Sequence, residues 1–291
     1  SLPLYHPPLS LKIRSVAALA ENRLRRRPLT ITLELTRRCN ARCDYCNHWR
    51  EQRQAEQELA EYVEVVERFQ PFAVTVCGGE PFMRRDALEI LSAVKRAEGW
   101  RYVAVITNGW FLTDDRCLRL AGTGIDQVNV SLNWPDARQD DDRRIPGLFE
   151  RIARVVPRLR GLGLNVQMNS ILMNDNLDEA VRIAELADGW GATVMFTLSS
   201  ELPGDNDSHL FPRKRWPRLR EVLGELTLRR NVLNARWYFD TIPSFVAGER
   251  IGGCTAGKDT LHISPGGMVR PCAELAPVAH FRDYDPRAAE P

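Results

Sequence analysis

Apolar residues recur along the chain with two alternating periods. Short runs rich in Val, Ile, Thr and Leu predict strands at 31–36 (ITLELT), 72–77 (FAVTVC), 102–107 (YVAVIT), 127–132 (QVNVSL), 165–172 (NVQMNSIL) and 193–198 (TVMFTL). Between them, apolar positions three and four apart predict helices near 53–69, 84–98, 114–122, 147–161, 177–188 and 213–230. Thr113 and Asn176 read as helix caps, and Gly99, Gly122, Gly161 and Gly189 as helix ends. Six strand–helix units in a row imply a parallel sheet with right-handed crossovers. Eight units would close a barrel. Six predict an incomplete (β/α)6 barrel, an α/β fold with a lateral opening.

The rhythm differs at both ends. Ile13, Val16, Ala20 and Leu24 recur at helical spacing and predict a helix over 9–27, which finishes in the basic run Arg23, Arg25, Arg26 and Arg27. Two readings stand for this arm: a solvated face on a helix capping the domain, or a basic amphipathic arm touching anionic lipid or an acidic partner. After about residue 232, Gly and Pro become dense, and LHISPGGMVRPC reads as two short strands around a Pro-Gly-Gly turn. The expected division is an arm at 1–29, a barrel at 30–231 and a small extension at 232–291. The abrupt close at DPRAAEP suggests a native chain that continues past Pro291.

Composition narrows the classes. The 291 residues are 44% hydrophobic and 27% charged, an ordinary globular balance. The net charge of +2 sets up no global field for nucleic acid. Arg outnumbers Lys 36 to 4, spread throughout. No apolar run of about 18 residues predicts a membrane span, and the start SLPLYHPPLSLKIRS lacks the order of a secretory signal. A soluble cytoplasmic protein is expected.

The seven cysteines are unevenly placed. In such a compartment they are not expected to form disulfides. Cys39, Cys43 and Cys46 form C-x3-C-x2-C directly after the first strand, which reads as a metal or catalytic cluster. Three thiolates are one too few for a closed tetrahedral zinc site. His48 is a conceivable fourth ligand, but its spacing is tight. Iron–sulfur clusters favour thiolate runs of this kind, and three of them on a four-iron cluster leave one iron open.

This motif, in a six-fold β/α chain, resembles the radical S-adenosylmethionine (radical SAM) superfamily. The resemblance covers roughly residues 30–200. It implies a [4Fe-4S] cluster whose open iron is chelated by S-adenosylmethionine. It also implies reductive cleavage of that cofactor to a 5′-deoxyadenosyl radical, which takes hydrogen from a substrate. Further motifs follow in the family's order. CGGEP (77–81) resembles its Gly-Gly-Glu-Pro turn, so Gly78, Gly79 and Glu80 are expected at the methionine amino group. TNG (107–109) suggests Asn108 at the barrel mouth. VSLNWP (130–135) resembles the family's Ser-Leu-Asp-Gly stretch. It implies ribose or carboxylate contacts from Ser131 and from Asn133, an amide where the family carries Asp. Arg143 or Arg144 would clamp the carboxylate, a role suited to guanidinium geometry. Asn169, in VQMNSILMNDN, is expected to face inward. Tyr45, between two cysteines, is expected against the adenine. Trp49 reads as core or as pocket wall.

Cys254 and Cys272 resemble the start of a SPASM or twitch extension, which implies either an auxiliary iron–sulfur cluster with further ligands or a hairpin without one. Cys77 and Cys117 read as small buried residues. A thiol at Cys77, next to the Gly-Gly-Glu turn, could also donate a hydrogen atom to a substrate radical. The resemblance implies an enzyme served by a reductase such as a flavodoxin or ferredoxin. About 30 residues precede the first strand, too few for a leader-binding domain. That favours a small-molecule or lipid-type substrate, with a maturase of ribosomally made peptides as the alternative. A non-catalytic iron–sulfur electron-transfer or sensing protein is the second alternative. Contact with a membrane surface would be peripheral.

Overall fold

The computed structural model describes residues 2–50, 55–199, 209–273 and 275–286. Its centre is one open nine-stranded sheet, in the order β6-β5-β4-β3-β2-β1-β7-β8-β9. The strands β1 (Thr30–Glu34), β2 (Ala73–Cys77), β3 (Tyr102–Thr107), β4 (Gln127–Ser131), β5 (Asn165–Leu172) and β6 (Thr193–Leu198) are all parallel. Each lies within a residue or two of its expected run. The helices α2 (Leu59–Phe69), α3 (Ala87–Arg96), α4 (Asp114–Gly122), α6 (Leu148–Gly161), α7 (Ala180–Gly189) and α8 (Trp216–Thr227) are the expected crossovers.

Alternation along the strands explains the layering. Ile31, Leu33, Val74, Val76, Val103, Val105, Val128, Val130, Val166 and Val194 point outward and are buried against the helices. The concave face is polar: Thr32, Glu34, Thr75, Asn129, Gln167 and Asn169 share it. A closed barrel fills its interior with branched aliphatics. Here an amide ladder does so. Gln127 Nε2 donates to Asn129 (2.6 Å), Gln167 Nε2 to Asn169 (2.7 Å) and Asn165 Nδ2 to Gln127 (2.7 Å).

Several local readings need correction. Thr113 does cap α4, accepting from Arg116 N at 3.2 Å. Asn176 caps nothing; it is buried and bonds the carbonyls of Asn133 and Ile171. Gly122, Gly161 and Gly189 are the last helical residues, and the left-handed turns fall to Gly124, Gly163 and Gly191 two positions later. Two short helices escaped the periodicity, α5 (Arg138–Arg143) and α9 (Arg236–Val246). The first helix, α1 (Leu9–Leu24), stops within the arginine run, keeping Arg23 and leaving Arg25, Arg26 and Arg27 beyond its end.

The C-terminal segment is joined to the main sheet. β7 (Thr260–Ile263) and β8 (Met268–Arg270) form the expected hairpin, completed by β9 (Ala279–His280). But β7 also pairs in parallel with β1, Thr30 to Thr260 through Leu33 to Ile263. The extension therefore continues the barrel sheet on the side of the cysteine-bearing strand.

At the opposite edge β6 is covered by the 231–238 segment. Asn231 and Leu233 bond to Val194. The Asn234 side chain accepts from Phe196 N and donates to Phe196 O, both at 2.8 Å, as a neighbouring strand would. Such cover blunts an edge prone to aberrant pairing. Asn234→Ala removes both bonds and is expected to cost about 1–2 kcal/mol in urea unfolding. An unchanged midpoint and slope would show that the edge needs no such cover.

Candidate active site

The strands end, at their C-terminal side, around a cavity of about 450 Å³. Of the expected site residues, Tyr45, Cys46, Gly78, Gly79, Ser131, Arg143 and Asn169 line it. Arg37, Asn47, His48, Thr197 and Arg270 line it as well and were not foreseen as wall residues. Arg270 comes from the C-terminal hairpin, so the pairing of β7 with β1 is what brings it here.

The glycine turn is dictated first by its neighbours. Gly78 has φ +144°, and a Cβ there would meet the Thr36 carbonyl. A Cβ on Gly79 would stand 2.7 Å from Arg37 O and against Arg38 O. Both glycines thus let the end of β2 press on the chain entering the cysteine loop, where Gly79 N donates to Thr36 O (2.7 Å) and Glu80 N to Arg38 O (2.8 Å).

Glu80 is fully buried. Its carboxylate accepts from Thr107 Oγ1 (2.8 Å), Asn108 N (2.8 Å) and Phe82 N (3.2 Å), which locks the ends of β2 and β3 together. Burial pushes its carboxyl up to about 7 against those bonds. Asn108 is buried rather than aimed into the mouth. Its amide donates to Asn40 Oδ1 at 2.8 Å and its oxygen accepts from Trp110 N at 2.9 Å. It fastens the loop between Cys39 and Cys43.

Asn133 is also turned away from the cavity. It is fully buried, and its Nδ2 reaches Tyr45 Oη (2.7 Å) and Asp142 (3.1 Å) while its Oδ1 accepts from Ile171 N (2.9 Å). Tyr45 Oη in turn donates to Asp142 at 2.8 Å. This network sets the tyrosine ring in the cavity wall. The two arginine candidates separate clearly. Arg143 lines the cavity, with Nη1 at 3.7 Å from Cys43 Sγ and its guanidinium 5.7 Å from the Tyr45 ring centre. Its buried Nε makes no hydrogen bond among the described residues. Arg144 is exposed, has φ 53° and pairs with Asp44 at 2.6 Å.

The third cysteine has a backing that sequence reasoning missed. Glu34, at the end of β1, is wholly buried; its Oε1 meets His48 Nε2 (2.7 Å) and His262 Nε2 (3.0 Å), and its Oε2 is ion-paired with Arg37 Nη2 (3.0 Å). Burial alone would raise its carboxyl; bonds from His262 and His48 outweigh it and hold the group far below the carboxylate range. His48 also hydrogen-bonds Cys46. Burial would lower the imidazole, but Cys46 and Glu34 push it up to about 9. The signal for Glu34 was in the strand itself: a carboxylate at a concave position in ITLELT.

Burial pushes the Cys39 thiol up to about 12 and that of Cys43 upward. At Cys46 the bonds from His48 overcome burial and lower it. Among the described residues no three thiol, imidazole or carboxylate groups surround one point, as a single zinc ion requires. Three thiols on one half-buried loop, flanked by Arg143 and His48, are the donor chemistry of an iron–sulfur cluster, whose ligands sit on separate irons. Cys77 is not in the cavity wall; it pairs with Glu34 across the β1–β2 ladder, and burial raises its thiol. Cys117 is buried in the core. Cys254 is exposed and Cys272 half-buried, both as free thiols. Trp49 lies outside the cavity wall and bonds Cys43 O at 3.0 Å.

A family model of the radical SAM superfamily matches residues 33–187, and this chain belongs to that superfamily. Its cofactors are accordingly a [4Fe-4S] cluster and S-adenosylmethionine, and it is a radical SAM enzyme. Over 277 residues it is 30% identical to the PqqA peptide cyclase of Methylocella silvestris, covering 89% of this chain and 73% of that enzyme. Over 193 residues it is 31% identical to the GTP 3′,8-cyclase of Aquifex aeolicus, covering 62% of this chain and 60% of that one. In fold it matches Streptococcus suis SuiB bound to S-adenosylmethionine, at TM-score 0.71 and 16% identity over 92% of this chain and 67% of SuiB.

Two outcomes test the arrangement. Gly79→Ala is expected to push back the cysteine loop, lower stability by about 1–3 kcal/mol and reduce the iron retained per chain. Wild-type stability and iron content would refute that account of the turn. With Cys46 proposed as a cluster ligand, His48→Ala removes a donor to its thiolate, a donor that favours the more negative reduced state. Its midpoint potential is expected to fall by on the order of 60 mV, one tenfold step for a one-electron couple. A redox titration followed by visible absorbance reads the shift, and no shift refutes it.

Proposed function

We propose that this protein is a radical SAM enzyme that modifies a peptide. The single observation that carries the reading is extent. The relative named a peptide cyclase matches 89% of the chain, whereas the nucleotide cyclase matches 62%. This favours the alternative raised from the sequence over its leading small-molecule or lipid reading. The cavity agrees in character. Arg37, Asn47, Ser131, Asn169, Thr197 and Arg270 suit amide and carboxylate groups better than a hydrocarbon tail.

In this reading Cys39, Cys43 and Cys46 hold the cluster. Gly78, Gly79, Ser131, Arg143 and Asn169 form the bed for S-adenosylmethionine, with Tyr45 against its adenine. When bound, the pair supplies one-electron cleavage of a sulfonium carbon–sulfur bond. The protein's part is to hold the reactants and keep them dry. Arg143, whose buried Nε stands 3.5 Å from Asp142, offers its fixed positive charge to a carboxylate. Asn133 and Asp142 orient Tyr45, and Glu80 keeps the two turns in register. Arg37 and Arg270 stand toward the rest of the cavity, where they can meet a peptide's carboxylate groups. Reduction would come from a flavodoxin- or ferredoxin-type partner.

The test incubates reconstituted protein, a reductant and S-adenosylmethionine with short peptides encoded beside its gene, and separately with GTP. A mass change in one peptide, in step with 5′-deoxyadenosine release, is expected. Turnover of GTP with inert peptides would replace the reading. Arg270→Ala is expected to raise KM for the peptide at least tenfold while leaving peptide-free cofactor cleavage unchanged.

A further inference from the structure

The helix α1 carries two apolar faces, and only one of them meets the protein. Leu11, Ala18 and Asn22 turn inward; Asn22 is buried and donates to Pro28 O (3.1 Å) and Gln70 O (2.9 Å). Leu9, Ile13, Val16, Ala20 and Leu24 turn outward, with Ile13 61%, Val16 70% and Leu24 86% exposed. At about 100° per residue these two rows lie on roughly opposite sides of the helix. The apolar repeat of Ile13, Val16, Ala20 and Leu24 therefore marks the solvent side of the helix.

The outward row is flanked by positive charge. Residues 9–27 hold Lys12, Arg14, Arg23, Arg25, Arg26 and Arg27 against Glu21, a local charge of +5, while the whole chain carries only +2. The remainder of the molecule is thus net acidic. A cleft of about 580 Å³ adjoins the helix end, where Arg25, Arg26, Arg27 and Arg68 face Glu67 and Asp285. An exposed apolar row bordered by cations is the pattern of a helix lying in an anionic bilayer surface. Pairing two copies through the same face would bring two +5 segments together, which argues against self-association.

We propose that the outward face of α1 docks this enzyme on anionic phospholipid membranes. The apolar row enters the headgroup boundary, and the flanking Lys and Arg meet lipid phosphates. The inference is independent of the substrate.

Co-sedimentation with vesicles of phosphatidylcholine and phosphatidylglycerol, compared with pure phosphatidylcholine, tests it. Wild-type protein is expected to pellet with the anionic vesicles only and to be released as salt rises. Ile13→Glu/Val16→Glu is expected to cut the bound fraction at least tenfold, with circular dichroism and peptide-free cofactor cleavage unchanged. Should that variant misfold, Lys12→Glu/Arg14→Glu decides, since both residues are exposed; a several-fold loss is expected. No binding to anionic vesicles by the wild type overturns the proposal, and so does full binding by the folded variant that decides. A wild type that is dimeric by light scattering, fails to bind vesicles and becomes monomeric on Ile13→Glu/Val16→Glu overturns it in favour of a second copy.

Discussion

The structure depends on one buried carboxylate. Glu34 ends the strand that leads into the cysteine loop, on a face closed to water. A buried carboxylate is tolerated only when charged or hydrogen-bonding partners satisfy it. Two of its partners, Arg37 and His48, belong to the loop that carries the cysteines, and the third, His262, sits on β7. Satisfying one charge therefore draws three pieces together: strand β1, the cysteine loop and the C-terminal hairpin. His48 passes the constraint on to Cys46, and the hairpin delivers Arg270 to the cavity wall.

A second layer works in the same way. Glu80, Asn108 and Asn133 belong to motifs that suggest direct contact with a cofactor, yet all three are buried with their polar atoms committed to protein partners. They position what does face the cavity. Glu80 fixes the turns, Asn108 holds Asn40 between two cysteines, and Asn133 aims Tyr45. The amide at 133 suits this task. It donates to Tyr45 and Asp142 and accepts from Ile171 N. A carboxylate in its place would face Asp142 as a like charge.

How much was legible follows from sequence separation. The six parallel strands and their crossovers are local patterns, each decided within a few residues, and they were readable to within one or two positions. Motif residues at strand ends were readable as members of the site, because parallel β/α folds put their chemistry there. Which of them touch the cavity was not readable, since Ser131 ends β4 and Asn133 lies in the turn beyond it, where strand alternation no longer says where a side chain points. The pairing of β7 with β1 joins residues some 230 apart in sequence, and no periodicity encodes that partner. The concave amide ladder was missed for a related reason. Isolated Gln and Asn residues in apolar strands carry no meaning until the register aligns them. Residues 51–54, within the expected first crossover helix, and 287–291, in the closing DPRAAEP, lie outside the described residues.

The position of α1 shows what periodicity leaves open. A repeat of three and four establishes that a helix has an apolar side, and packing alone says where that side points. Here the N-terminal segment is held beneath the sheet. Arg160 donates to Pro3 O, and Arg23 pairs with Asp259 just before β7. Both anchors lie at the N-terminal ends of strands, whereas the cavity opens at the C-terminal ends. The basic, apolar face and the polar cavity thus sit at opposite poles of the half-barrel. A membrane beneath α1 would leave the cavity mouth turned to water. That geometry suits a polar substrate arriving from solution, and it separates attachment from chemistry within one fold.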